Sequence, residues 1–179
     1  MEKAYKYRLL PNNIQKQILE KHFGATRWIY NYGLSEKIKS YQKNKSQLSC
    51  FQISSRLTKL KQENEWLKEI NAQSLQMSLR QLDNAYTKFF KKQNQFPKFK
   101  SKKDRKSFSI PQGNKIDWEK QRAGFTKIGI FKIKVDRKFE GKIIRATISK
   151  NPADQYFVSY VIDEKTKIIK TKKIREKTT

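Results

Sequence analysis

One cysteine, Cys50, and one histidine, His22, stand among 179 residues. Together they can form neither a disulfide nor a zinc site of the Cys/His type within one chain. Glycine is scarce too, six in all, and none falls in the spacing of a phosphate-cradling loop or a dinucleotide-binding turn. No run of about 18 apolar residues exists to span a bilayer, and residues 1–8 lack the apolar stretch of a signal peptide. The chain therefore reads as soluble and cytoplasmic. The most telling shortage is negative charge: 16 Asp and Glu face 42 Lys and Arg, for a formal net charge of +26. A compact body carrying that charge repels itself unless a polyanion neutralises it, so a nucleic-acid partner is expected.

The shortage also bears on catalysis. A metal-dependent nuclease gathers about three or four carboxylates around two divalent ions, whereas the acids here are scattered among lysines. Asp163 and Glu164 are adjacent, and adjacent residues on a strand point to opposite faces. His22 has no Ser or Asp signature beside it, and Cys50 has no second histidine to pair with. No catalytic residue, metal site or cofactor is expected.

Aromatic residues are plentiful: three Trp, eight Tyr and eleven Phe supply a core that a disordered chain of this charge would lack. Residues 3–9 alternate apolar and basic side chains before Pro11, which predicts a strand. Asn12 or Asn13 then caps a helix that Gly24 is expected to end, and a second helix follows over 25–42, so that 12–42 reads as helix-turn-helix-like. Ile53, Leu57 and Leu60 predict a helix over 51–60. Over 72–91, Leu75, Leu79, Leu82, Tyr86 and Phe89 recur at spacings of four and three. The other face of that helix offers Gln73, Gln76, Arg80, Asn84 and Lys88, which suit phosphates or base edges as well as a solvated surface.

Pro97 closes the helical stretch. Within nine positions beyond it stand Lys98, Lys100, Lys102, Lys103, Arg105 and Lys106, with Phe96, Phe99 and Phe108 around them. Lysines displace counterions from phosphates while aromatic faces accept unstacked bases; a solvated basic loop with its Phe residues turned inward has the same pattern. Thereafter the chain reads as strands: Ile128, Ile130, Ile133 and Val135 around a turn at Gly129, then a hairpin of Ile144, Ala146 and Ile148 with Tyr156, Val158, Tyr160 and Ile162 about Asn151-Pro152. A lone first strand makes sense if it pairs with these later ones and the helices are an insertion.

Four segments in order, KAYKYRLLPNNIQKQILEKHFGATRWIYN, WLKEINAQSLQMSLRQLDNAYTKFF, QFPKFKSKKDRKSFSIPQ and GKIIRATISKNPADQYFVSYV, resemble the transposon-encoded TnpB family, the OrfB class of insertion-sequence transposases. The resemblance covers residues 3–162. It implies an α+β fold, a small wedge-type β-barrel (1–10 and 106–164) interrupted by a helical recognition insertion (11–105), with a basic tail over 165–179. It further implies an RNA-guided DNA endonuclease whose RuvC carboxylates and zinc ribbon would lie beyond residue 179. This chain is then expected to be a recognition half, inactive by itself, prokaryotic and nucleoid-associated, whose partners are DNA, guide RNA and a separately encoded nuclease half. The family reads a short DNA motif at positions matching 49–54, 73–76 and 111–114, which singles out Gln76, then Gln73, Ser54, Cys50, Gln112 and Asn114. Lys6, Arg8, Arg27 and Arg80, with Lys98, Lys100, Lys102, Lys103, Arg105 and Lys106, are expected on guide-RNA or heteroduplex phosphates. A repressor that uses only residues 12–41 is the alternative from another class.

Overall fold

The computed structural model describes residues 2–164; the basic tail expected over 165–179 lies outside the described residues. Strand β1 (Glu2–Leu10) buries Tyr7 and Leu9 and turns Lys6, Arg8 and Leu10 to the other face. Helix α1 (Asn13–Asn44) opens on a reciprocal cap: the Asn12 side chain accepts from the Gln15 N–H, and the Gln15 side chain accepts from the Asn12 N–H. The helix does not end at Gly24. It continues for 32 residues, until Lys45 adopts a left-handed conformation. Phe23, Ala25, Ile29 and Leu34 are all buried along it. Burying such side chains stabilises by more than the roughly 1 kcal/mol that an internal glycine costs. No turn divides 12–42, so the two helices expected there are one.

The helix expected over 51–60 is instead two short ones, α2 (Cys50–Ser55) and α3 (Leu57–Glu63), meeting at Arg56. A 3-10 turn (Glu65–Glu69) leads to α4 (Ala72–Phe90), which the spacing located closely. Ala25, Ile29, Ile53, Leu57, Leu60, Leu67, Ile70, Leu75 and Leu79 form the core of this helical unit. α1 packs against α4 at Gly33, where a Cβ would stand 2.7 Å from Leu79 Cδ2 and force that buried side chain to shift.

Six further strands follow: β2 (Lys106–Ile110), β3 (Asn114–Asp117), β4 (Arg122–Phe125), β5 (Gly129–Lys134), β6 (Lys142–Lys150) and β7 (Tyr156–Asp163). With β1 they form one antiparallel sheet in the order β2-β6-β7-β1-β5-β4-β3. β1 lies between β7 and β5, so the first strand does pair with the late ones and the helices are an insertion between β1 and β2.

The expected barrel is not closed by backbone pairing, because β2 and β3 are the two edges and share no ladder. The sheet is nevertheless strongly curled. A flat sheet of this strand number would hold its edges about 29 Å apart, yet four residues of chain, from Ile110 to Asn114, reach at most about 14 Å. Inside the curl lie Tyr7, Leu9, Phe108, Ile110, Phe125, Phe131, Ile148, Val158 and Tyr160, with Leu19 and Phe23 of α1 packed among them.

Candidate nucleic-acid interface

The start of α4 is fastened on three sides. Asn71 caps it, its Oδ1 accepting from the Ser74 N–H at 3.0 Å. The Asn71 Nδ2 donates to the Thr126 carbonyl at 2.9 Å, in the turn between β4 and β5, and the Asn71 N–H donates to His22 Nε2 at 3.3 Å. His22 Nδ1 donates in turn to the Ile18 carbonyl at 2.8 Å. Burial holds this imidazole below its ordinary pKa, against the smaller pull of the Ile18 bond. It is a neutral structural histidine.

Thr126 also donates through Oγ1 to the Gly113 carbonyl at 3.2 Å, and Asn114 Nδ2 donates to the Ile110 carbonyl at 2.9 Å, which fixes the loop 111–113. On that loop Gln112 Oε1 accepts from Gln73 Nε2 at 3.3 Å. Three of the expected DNA-reading residues, Gln73, Gln112 and Asn114, are thus brought to one junction between helical unit and sheet. Gln76 and Arg80 continue the same helix face and are exposed. Lys61 and Lys127 lie close by one another; burial first, then the Lys127 charge, hold the Lys61 ammonium below its usual range.

Cys50 is engaged away from this junction. The Cys50 N–H donates to Asp83 Oδ2 at 2.8 Å, about two turns along α4 from Gln76. Asp83 is also paired with Lys37 at 2.6 Å, and Lys37 donates to the Leu48 carbonyl. Burial and the Asp83 carboxylate push the Cys50 thiol up. Ser54 is half-buried on α2.

The basic run divides into anchors and free cations. Lys100 lies 4.0 Å from the centre of the Tyr30 ring, and its backbone is bracketed by Asn31, whose Nδ2 donates to the Lys100 carbonyl at 2.9 Å and whose Oδ1 accepts from the Lys100 N–H at 2.8 Å. Lys106 pairs with Glu20 at 2.9 Å, and Lys150 shares the same carboxylate at 2.8 Å. These two lysines hold the segment in place. Lys98, Lys102, Lys103 and Arg105 remain exposed. Phe96 stands edge-on to Tyr86 and Phe89, whereas Phe99 is 56% exposed. Half-buried Arg27 lines a small cleft beneath the run, with Ser101, Arg105 and Phe108.

A further basic surface was not singled out by sequence reasoning. On the outer face of the sheet, Arg8 is paired in register with Phe157 on one side and Lys134 on the other, and Lys132 with both Leu10 and Arg122. Lys6 lies 4.3 Å from the centre of the Phe157 ring. Lys6 and Arg8 were expected; Lys132, Lys134, Arg122 and the exposed Arg145 extend them. The alternation in GIFKIK carried the signal, but only the register places those lysines beside Arg8.

The carboxylates are largely engaged in ion pairs: Glu20 with Lys106 and Lys150, Asp83 with Lys37, Glu36 with Arg56, and Glu164 with Lys3. Burial would raise the Glu20 carboxyl, but hydrogen bonds from Lys150 and Lys106 outweigh it and hold the group below its ordinary value. Among the described residues no three His, Cys, Asp or Glu side chains gather as a metal site would need. Nor is any described helix long and apolar enough to cross a membrane.

Residues 1–46, which hold β1 and the continuous helix α1, match the family model of the OrfB/IS605 helix-turn-helix domain. The class is thereby a chain of α+β construction whose first quarter is similar to a helix-turn-helix domain. Over 155 residues it is 30% identical to a protein of Escherichia coli (strain K12) described as an RNA-guided DNA endonuclease, InsQ, a match covering 86% of this chain and 39% of that protein. Over 169 residues it is 28% identical to a protein of Streptomyces pristinaespiralis described likewise as an RNA-guided DNA endonuclease, covering 92% of this chain and 42% of the other. The chain is a relative of the transposon-encoded TnpB proteins of the OrfB class, and spans about two fifths of the length of the curated relatives it matches.

Proposed function

We propose that residues 2–164 are the nucleic-acid-recognition part of an RNA-guided, TnpB-like system, binding duplex DNA and guide RNA without cutting either. The observation that carries this reading is the junction at which the Gln73 side chain meets Gln112, with Gln76 exposed one turn along and Lys61 and Lys127 crowded beside it. Amide side chains there suit adenine edges, and the N–H groups that begin α4 favour a phosphate. The exposed cations of the 98–106 run and the outer sheet face then hold RNA phosphates. On this reading the curled sheet is a wedge-like barrel with open edges, the helical unit is its recognition insertion, and the protein works in the cytoplasm on nucleoid DNA. Its nuclease half is either a continuation of the chain or a separate polypeptide.

The test is binding of the purified chain to structured RNA and to duplex DNA as salt is raised from about 50 to 200 mM. With roughly six to ten phosphate contacts the affinity should fall by about three to five orders of magnitude. Equal affinity at both salts refutes the proposal, and magnesium-dependent cleavage by this chain refutes the binding-only part. A footprint retained in full by residues 1–45 would return the interface to the N-terminal helix as a repressor.

A further inference from the structure

Gly24 lies inside α1, and a Cβ built there would meet nothing within 4 Å. Gly33 is explained by the approach of Leu79; Gly24 has no such neighbour and no positive φ. An internal helical glycine gives up stability relative to alanine, and nothing in the packing of the fold returns it.

The open space beside Gly24 is a cavity of about 410 Å³ walled by Trp28 and Trp66. Trp28 is held by stacking on Tyr32, with ring centres 5.6 Å apart and planes 11° from parallel. Trp66 meets Trp28 edge-on and is 44% exposed. Of the polar groups at the rim, Lys21 is paired with Glu69 at 2.6 Å and Asn31 is spent on the Lys100 backbone. Arg27 has no carboxylate partner among the described residues. It also lines the cleft under the 98–106 run, so one guanidinium joins that run to the tryptophan cavity.

We infer that this cavity takes a single unstacked base of a nucleic-acid strand whose phosphates follow Lys102, Lys103 and Arg105. The inference rests on the nucleic-acid reading above and adds a base site to it. Indole faces accept bases of any sequence. Gly24 leaves the helix backbone bare where the ring edge enters, and Arg27 lies between base and backbone phosphate. The only carboxylate at the rim is neutralised by Lys21, so the site's charge favours a polyanionic strand over an apolar peptide.

The experiment uses the full 179-residue chain with Trp118→Phe, which leaves Trp28 and Trp66 as its only tryptophans. The probe is a single-stranded oligonucleotide bearing 2-aminopurine. Binding should quench both the indole and the 2-aminopurine fluorescence. Trp66→Ala and Gly24→Leu should abolish the quench while lowering total affinity, read by filter binding, less than tenfold. The triple change Lys102→Gln, Lys103→Gln and Arg105→Gln should lower affinity but leave the quench intact at saturation. If Gly24→Leu does not fold, the surface change Trp66→Ala decides alone. Absence of binding by the parent chain overturns the nucleic-acid reading itself. Binding with unchanged fluorescence, or full quench in Trp66→Ala, overturns the base site alone. So does a Gly24→Leu chain that differs from its parent only in self-association, which would give the cavity to a second copy.

Discussion

The side-chain amide of Gln73 donates to that of Gln112 across 3.3 Å, and this contact joins the first turn of α4 to the loop between the two edge strands of the sheet. Because the same loop is fixed by Thr126 and Asn114, the helix face that begins at Gln73 has a set orientation. Gln76→Ala should therefore relax discrimination at a single base position, by about 1–3 kcal/mol, and leave non-specific affinity nearly unchanged. Selection from a randomised duplex library, compared between parent and variant, measures this; a uniform loss over all sequences would contradict it.

The basic run should behave as two populations. Changing Lys102, Lys103 and Arg105 together to Gln should flatten the dependence of log affinity on log salt by up to about three units, near one per lost phosphate contact. Its melting temperature should not fall. Lys100→Ala and Lys106→Ala should instead lower the melting temperature, because they remove the contacts to Tyr30 and Glu20. Melting curves alongside salt titrations separate the two.

His22 gives stability a pH dependence of known sign. Its folded pKa lies below its ordinary value, chiefly through burial. The unfolded chain therefore takes up the proton first as pH falls, so stability is full above about pH 6.5 and declines through the acid range below it. The melting temperature should drop between about pH 7 and 5.5, and His22→Gln should remove most of that slope. The ion-paired carboxyls Glu20 and Asp83, also held low, add their loss only at more acidic pH.

Two glycines of one helix should respond oppositely to alanine. Gly24→Ala should stabilise by about 0.5–1 kcal/mol, since its Cβ meets nothing. Gly33→Ala forces a methyl to 2.7 Å from Leu79 and 3.0 Å from Leu82. Crowding of that kind costs about 1–3 kcal/mol, which outweighs the helical gain. Thermal melts should rank Gly24→Ala above the parent and Gly33→Ala below it.

Much of the architecture is legible from periodicity. β1, α4 and the β6–β7 hairpin are long, and their apolar spacing has one interpretation, so even the pairing of β1 with late strands follows. Gly24 was misread because local propensity favours a helix end, while the deciding burial of Ala25, Ile29 and Leu34 comes from tertiary contacts. β3 and β4, at four residues each, are too short for periodicity to register. The expected site is legible in part. Gln73 meets Gln112 on the loop that Asn114 helps to fix, whereas Cys50 is engaged elsewhere by Asp83. Lys100 and Lys106 look like their neighbours in sequence; what sets them apart are Asn31 and Glu20, 69 and 86 residues away.

The placement of β1 between β5 and β7 has a kinetic meaning. Arg8 must wait for Lys134, and Glu2 for Asp163, before the central strand has any partner. Such long loop closures are slow compared with helix formation, so a refolding chain should acquire helical circular dichroism before the environment of Trp118, packed edge-on against Tyr7 and Phe139, becomes native. Through that interval β1 is an unpaired strand, and its alternating Lys3, Lys6 and Arg8 supply the charge that keeps such a strand from pairing with its counterpart on another chain.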